Sequence, residues 1–170
     1  MPTRPYTGRA DVPAAGKRPG TEKLVELMCK TYGFTNLGTF AVRPMRGSSL
    51  PSVHGSGRAM DLGWVDPVAA AKVAAWIVAN DDAFMLEEFH DYAGTTKPGT
   101  ETWGRGWRCD RGGKPNWKDY TATDNAGTPG PSSRWYHLEI APAFADDDRL
   151  VVKTWKTLTK LDVWVGSPKK

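Results

Sequence analysis

Few side chains in this 170-residue chain can do chemistry by type: three histidines, His54, His90 and His137, and two cysteines, Cys29 and Cys109. The densest pattern is Ser52-Val53-His54-Gly55-Ser56-Gly57-Arg58-Ala59-Met60-Asp61, where a histidine and an aspartate stand seven positions apart with small residues between them. Side chains alternate along a strand, so Gly57, Ala59 and Asp61 share one side while Met60 and Leu62 face a core. A carboxylate on a rigid strand, with only glycine and alanine beside it, leaves room for a cation and for His54 to swing in from the loop. In Trp135-Tyr136-His137-Leu138-Glu139-Ile140 the same alternation puts Trp135, His137 and Glu139 on one face and three core residues on the other. If these two strands are neighbours, His54, Asp61 and His137 form a two-histidine, one-carboxylate set. Zinc held by three protein ligands keeps a fourth position for water, whose pKa the metal lowers. The alternative is that each histidine is a solitary structural residue, and spacing alone leaves both readings open. His90, within Glu87-Glu88-Phe89-His90-Asp91, is expected to be an exposed or hydrogen-bonded strand histidine, with Glu88 on the same face.

The pattern His54-x-x-Gly57-x-Ala59-x-Asp61, preceded by Ser52, resembles the signature of the zinc D-alanyl-D-alanine carboxypeptidases and dipeptidases. That family also holds the L-alanyl-D-glutamate endopeptidases of phage lysins. All five fixed positions of the signature are present. Tyr136-His137-Leu138-Glu139 is similar to the family's third-ligand strand, and Thr39-Phe40-Ala41-Val42-Arg43-Pro44 to its arginine-bearing strand. The resemblance spans Gly38 to Ile140. It implies that His54, Asp61 and His137 bind Zn2+ and that Arg43 stabilises an oxyanion, with Arg46 as the second candidate. One position departs from the family. The acidic general base that usually lies three residues before the third ligand is replaced by Arg134. Three explanations stand open. Glu139 serves as the base; a carboxylate such as Glu87, Glu88 or Asp124 reaches in; or the site is degenerate and binds without efficient hydrolysis. Trp103, Trp107, Trp117 and Tyr120 either wall a substrate groove or anchor a long loop. Trp103, Trp107 and Trp135 are the candidate substrate-contacting rings.

Positioning these residues needs a small antiparallel sheet flanked by helices, and the class read from the chain is α+β. Leu24, Leu27, Met28 and Tyr32 predict a helix over 22–32, capped by Thr21 and ended by Gly33. Strands are expected over 38–42, 58–64, 84–92, 103–109 and 135–140. Asp66-Pro67 opens a helix to Asn80 that is apolar nearly all round, and a final helix is expected over 147–160. Residues 1–20, with four prolines and three glycines, read as a basic arm, 21–165 as one domain, and 166–170 as a linker stub.

A net charge of +4 with dispersed Lys and Arg lacks the clustered basic face that nucleic acid requires. No run approaches the ~20 apolar residues of a membrane span, and no apolar stretch follows Met1, so synthesis in the cytoplasm without a signal peptide is expected. Two cysteines eighty positions apart read as free thiols rather than a bridge. The leading expectation is a zinc peptidase acting on bacterial peptidoglycan at the cell wall, a phage lysin or virion-associated enzyme. It would be a monomer or a module of a larger protein. The alternative is a catalytically degenerate wall-binding or structural phage module of the same fold. A third reading is a zinc-free binding domain.

Overall fold

The computed structural model describes residues 4–45, 47–101, 103–111, 116–124 and 132–161. Its class is α+β, built on one open, six-stranded antiparallel sheet. The strands are β1 (Thr35–Gly38), β2 (Ala59–Gly63), β3 (Leu86–Asp91), β4 (Arg105–Arg108), β5 (Trp117–Asp119) and β6 (Trp135–Ile140). Their spatial order is β1-β2-β6-β3-β4-β5. The helices are α1 (Pro19–Tyr32), α2 (Pro67–Ala79), α3 (Pro142–Asp146) and α4 (Asp148–Leu161). The strand latest in sequence, β6, thus inserts between β2 and β3 and brings both into register with its own side chains.

Alternation gives the sheet two different faces. Met60 and Phe89 both pair with Leu138, Leu62 pairs with Tyr136, and all five side chains are at most 1% exposed. The helices cover this face with Leu24, Val25 and Met28 of α1, Val73, Trp76 and Ile77 of α2, and Val151 and Trp155 of α4. Burying each of the larger apolar side chains stabilises the fold by about 1.5–3 kcal/mol. Trp76 anchors the layer, its ring centroid 5.1 Å from Phe84 and 5.6 Å from Trp155.

Local departures from expectation have physical causes. Helix α1 starts at Pro19 rather than after Thr21, because the Thr21 hydroxyl is drawn inward to donate to the Gly57 carbonyl at 2.8 Å. Gly20 permits this start, since a Cβ there would lie 2.1 Å from the Phe144 carbonyl oxygen in α3. Strand β1 lies upstream of the expected 38–42; the next segment leaves the sheet, and the Ala41 amide donates to the His54 carbonyl instead. Helix α2, apolar nearly all round, buries one side and leaves Val68 64% exposed. The loop after β4 contributes β5, which sequence reasoning did not place.

The stretch read as an arm packs onto the domain over its described residues. Arg4 donates to the Leu86 carbonyl at 2.7 Å, and the Thr7 hydroxyl to Glu87 at 2.6 Å. Arg58, fully buried, gathers this segment by donating to the Gly8 carbonyl and pairing with Asp11 and Glu87. Residues 166–170, read as a linker stub, lie outside the described residues. Both cysteines are free thiols, Cys109 buried and Cys29 partly so. No helix among the described residues is long and apolar enough to cross a membrane.

Candidate metal centre

The loop before β2 is shaped to present His54. The Ser52 hydroxyl accepts the His54 amide hydrogen at 3.3 Å, capping a single 3-10 turn over Val53–Ser56. Gly57 ends the turn at φ 72°, a left-handed conformation that favours glycine, and a Cβ there would lie 2.7 Å from the Gly16 carbonyl oxygen. Ala59, wholly buried, starts β2, and Asp61 follows on the same face, directly across from His137 of β6. Ser52, Gly57 and Ala59 therefore act as capping, turning and spacing residues for His54 and Asp61.

The three expected ligands converge. His54 Nε2 is 3.2 Å from Asp61 Oδ2, and His137 Nδ1 is 2.9 Å from Asp61 Oδ1. One ligand atom from each residue lies within 4.8 Å of the others, so this buried group could hold a metal ion. His137 Nε2 points the other way, 3.1 Å from Glu139 Oε1. With Nδ1 facing Asp61, the ring would ligate through Nδ1 while Glu139 accepts the opposite N–H and sets ring orientation.

The electrostatics favour a positive charge at this point. Burial disfavours a charged His137, but hydrogen bonds to Asp61 and Glu139 outweigh it and push its pKa up to about 10. Burial also opposes ionisation of Asp61, yet hydrogen bonds from His137 and His54 hold its carboxyl well below the usual carboxylate range. A proton on His137 thus supplies the charge that two carboxylates demand, and a cation among the three ligands would supply it equally.

The same face continues onto β3. Glu88 stands across from Glu139, and His90 across from His137. His90 Nε2 is 3.5 Å from Glu88 Oε2, and Nδ1 is hydrogen-bonded to the Tyr120 hydroxyl. Burial would raise the Glu88 pKa, but the neighbouring His90 charge pulls it down to about 2. Tyr120 reaches His90 because position 106 is glycine; a Cβ there would lie 1.8 Å from the Tyr120 hydroxyl oxygen.

Other expected site residues are placed differently. Arg43 is exposed on a loop, its guanidinium bonded to the Pro44 carbonyl at 3.3 Å, and no ion pair or hydrogen bond among the described residues joins it to the cluster. Arg46 lies outside the described residues. Trp107 does not line the cluster face: it pairs with Phe89, is 5% exposed and belongs to the core. Trp103 is 40% exposed beyond β3, whereas Trp135 is on the cluster face, its ring centroid 4.6 Å from Tyr92. Among the alternative bases, Glu87 is engaged by Arg58 and Thr7, and Asp124 by Lys118 and Thr121. Arg134 sits over the Trp64 ring at 5.9 Å.

Sequence reasoning missed Tyr6, whose hydroxyl reaches Glu88 and Glu139, and Tyr92, whose ring stacks on His90 at 5.4 Å. Gly106, a strand residue without a side chain between Arg105 and Trp107, signals only the close approach of Tyr120. Comparison of the chain with known protein families, characterised proteins and solved structures finds no match in any of them.

Proposed function

We propose that this chain is a zinc metallopeptidase hydrolysing a peptide bond in peptidoglycan stem peptides or cross-links, with the fold of the D-Ala-D-Ala carboxypeptidase family and the character of a phage lysin module. One observation carries the reading: His54 from a loop, Asp61 from β2 and His137 from β6 bring their donor atoms within 4.8 Å. Two imidazole nitrogens and a carboxylate oxygen are a donor set that zinc accepts, and three protein ligands suit a catalytic rather than a structural site. When bound, zinc supplies Lewis acidity that polarises a carbonyl oxygen and lowers the pKa of water. Glu139 is hydrogen-bonded to His137 Nε2, which supports an orienting role for it over that of proton acceptor. Glu88 is the remaining carboxylate of the face and the residue that would take a proton there. Arg43, on the loop whose backbone pairs with Ser52, is the cation this reading assigns to a substrate carbonyl. Trp135 and Tyr92 offer an aromatic wall beside the ligands.

A second reading, the catalytically degenerate wall-binding module, is favoured by one observation. Glu88 is engaged by His90 Nε2 at 3.5 Å and the Tyr6 hydroxyl at 2.9 Å, which hold its carboxyl below the usual carboxylate range and make it a poor base at neutral pH. Two measurements decide. Protein purified without chelator is expected to carry one zinc per chain, and well under one would remove both metal readings. Zinc-loaded protein incubated with purified peptidoglycan is expected to release new free amino groups. Sedimentation with the wall but no release establishes the binding module instead.

A further inference from the structure

We infer that Tyr6, contributed by the N-terminal segment, is a positioning residue of the metal centre: its hydroxyl locks Glu139, and through it the His137 ring, into ligating geometry. The inference rests on the metal-binding part of the proposed function, not on peptidase activity. Glu88 and Glu139 face each other directly across β3 and β6, and they are 8% and 3% exposed. Like charges placed opposite in neighbouring strands repel, so an unbridged pair here would splay. The Tyr6 hydroxyl stands between them, 2.9 Å from Glu88 Oε2 and 2.8 Å from Glu139 Oε2. Glu139 then has one oxygen on Tyr6 and the other on His137 Nε2, which leaves its carboxylate little freedom to rotate.

Tyr6 is itself fixed from three sides. Arg4 holds the Leu86 carbonyl, the Thr7 hydroxyl holds Glu87, and Arg58 holds the Gly8 carbonyl. The Arg108 guanidinium lies 4.7 Å over the Tyr6 ring centroid. A continuous path of hydrogen bonds therefore runs from Asp61 through His137 and Glu139 to a tyrosine far outside the ligand-bearing segments. A tyrosine serving only to pin the N-terminal segment would need one acceptor for its hydroxyl, whereas Tyr6 stands against two carboxylates.

The test is zinc affinity, read by competition with a chromophoric chelator, together with the visible spectrum of the Co2+-substituted protein. Losing an outer partner of a ligating histidine typically costs 10–100-fold in metal affinity. Tyr6→Phe keeps the ring under Arg108 and removes only the hydroxyl; it is expected to weaken zinc binding about 10-fold and to shift the cobalt bands. In a Glu139→Ala background the same change is expected to have no further effect, because its route to the metal is gone. An affinity within 2-fold with an unchanged cobalt spectrum, or a full effect in the Glu139→Ala background, overturns the inference. Should Tyr6→Phe not fold, the unsubstituted protein labelled with 13C at the tyrosine ζ carbons decides: the Tyr6 resonance must move on adding zinc, and a stationary one overturns the inference. Failure of the wider reading looks different. An unsubstituted chain that binds no zinc removes the metal centre altogether, whereas zinc binding without peptidoglycan cleavage leaves the role of Tyr6 intact.

Discussion

The two faces of the sheet are made from the same strands in the same register, yet they are stabilised by different means. On the helix-covered face, Met60, Leu62, Phe89, Tyr136 and Leu138 are held by packing, which is non-directional and proportional to the area removed from water. On the other face, His137, Glu139 and Glu88 are buried and Asp61 and His90 partly so, and each is held by named partners at hydrogen-bond or ion-pair distance. A polar group buried without partners costs free energy, so this face is stable only as a complete network. Neighbouring positions such as His137 and Leu138 should therefore fail in different ways when changed.

Removing a ligand separates the faces most sharply. His137→Ala is expected to weaken zinc binding by at least ~100-fold, more than the loss of an outer partner does, and chelator competition measures it. Its neighbour, Leu138→Ala, is expected to lose about 2–5 kcal/mol of stability in urea unfolding while the folded fraction binds zinc as before. A ligand variant that unfolded the chain while leaving zinc affinity intact would erase the distinction.

Glu139→Gln comes next. If Glu139 orients His137, zinc affinity falls about 10–100-fold. If it is instead the base, affinity holds and turnover falls ~10²–10⁴-fold. The geometry favours the first outcome.

A graded effect follows from pH. The folded His137 pKa, about 10, lies above the ordinary histidine value near ~6.5. Its contribution is then fully present below about pH 6.5 and is lost as pH rises through the folded value. Metal-free protein is expected to show a declining urea midpoint from pH 6 to pH 10, and zinc, which displaces that proton, is expected to flatten the decline. The smallest effect belongs to the apolar side. Burial pushes the Cys109 thiol up to about 11, so alkylation of the native protein at pH 8 should leave it unmodified.

Much of this contrast is legible in the chain. Alternation alone assigns Asp61, His137 and Glu139 to one face and Met60, Leu62, Tyr136 and Leu138 to the other, and β6 lies at its expected bounds, Trp135–Ile140. Asp66-Pro67 opens α2 as read, with the Asp66 carboxylate accepting from Val68 and Ala69. Less legible was every feature that depends on where the chain returns. The proline-rich start looked like an arm because it lacks periodicity, yet Arg58 binds it through a backbone carbonyl, a contact that leaves no pattern in side-chain order. Trp107 looked like a groove residue because its loop is aromatic; its pairing with Phe89 sends it to the core.

The sequence by itself determined the candidate ligand types, their faces and the small residues that give them room, since these follow from local geometry at fixed spacing. Only the tertiary structure decided that β6 enters between β2 and β3, that Glu139 bonds to His137 rather than standing free, and that the Tyr6 hydroxyl stands between Glu88 and Glu139. The reason is physical: alternation and capping act between residues a few positions apart, whereas a network of buried charges is completed only by whichever distant segments the fold brings to it.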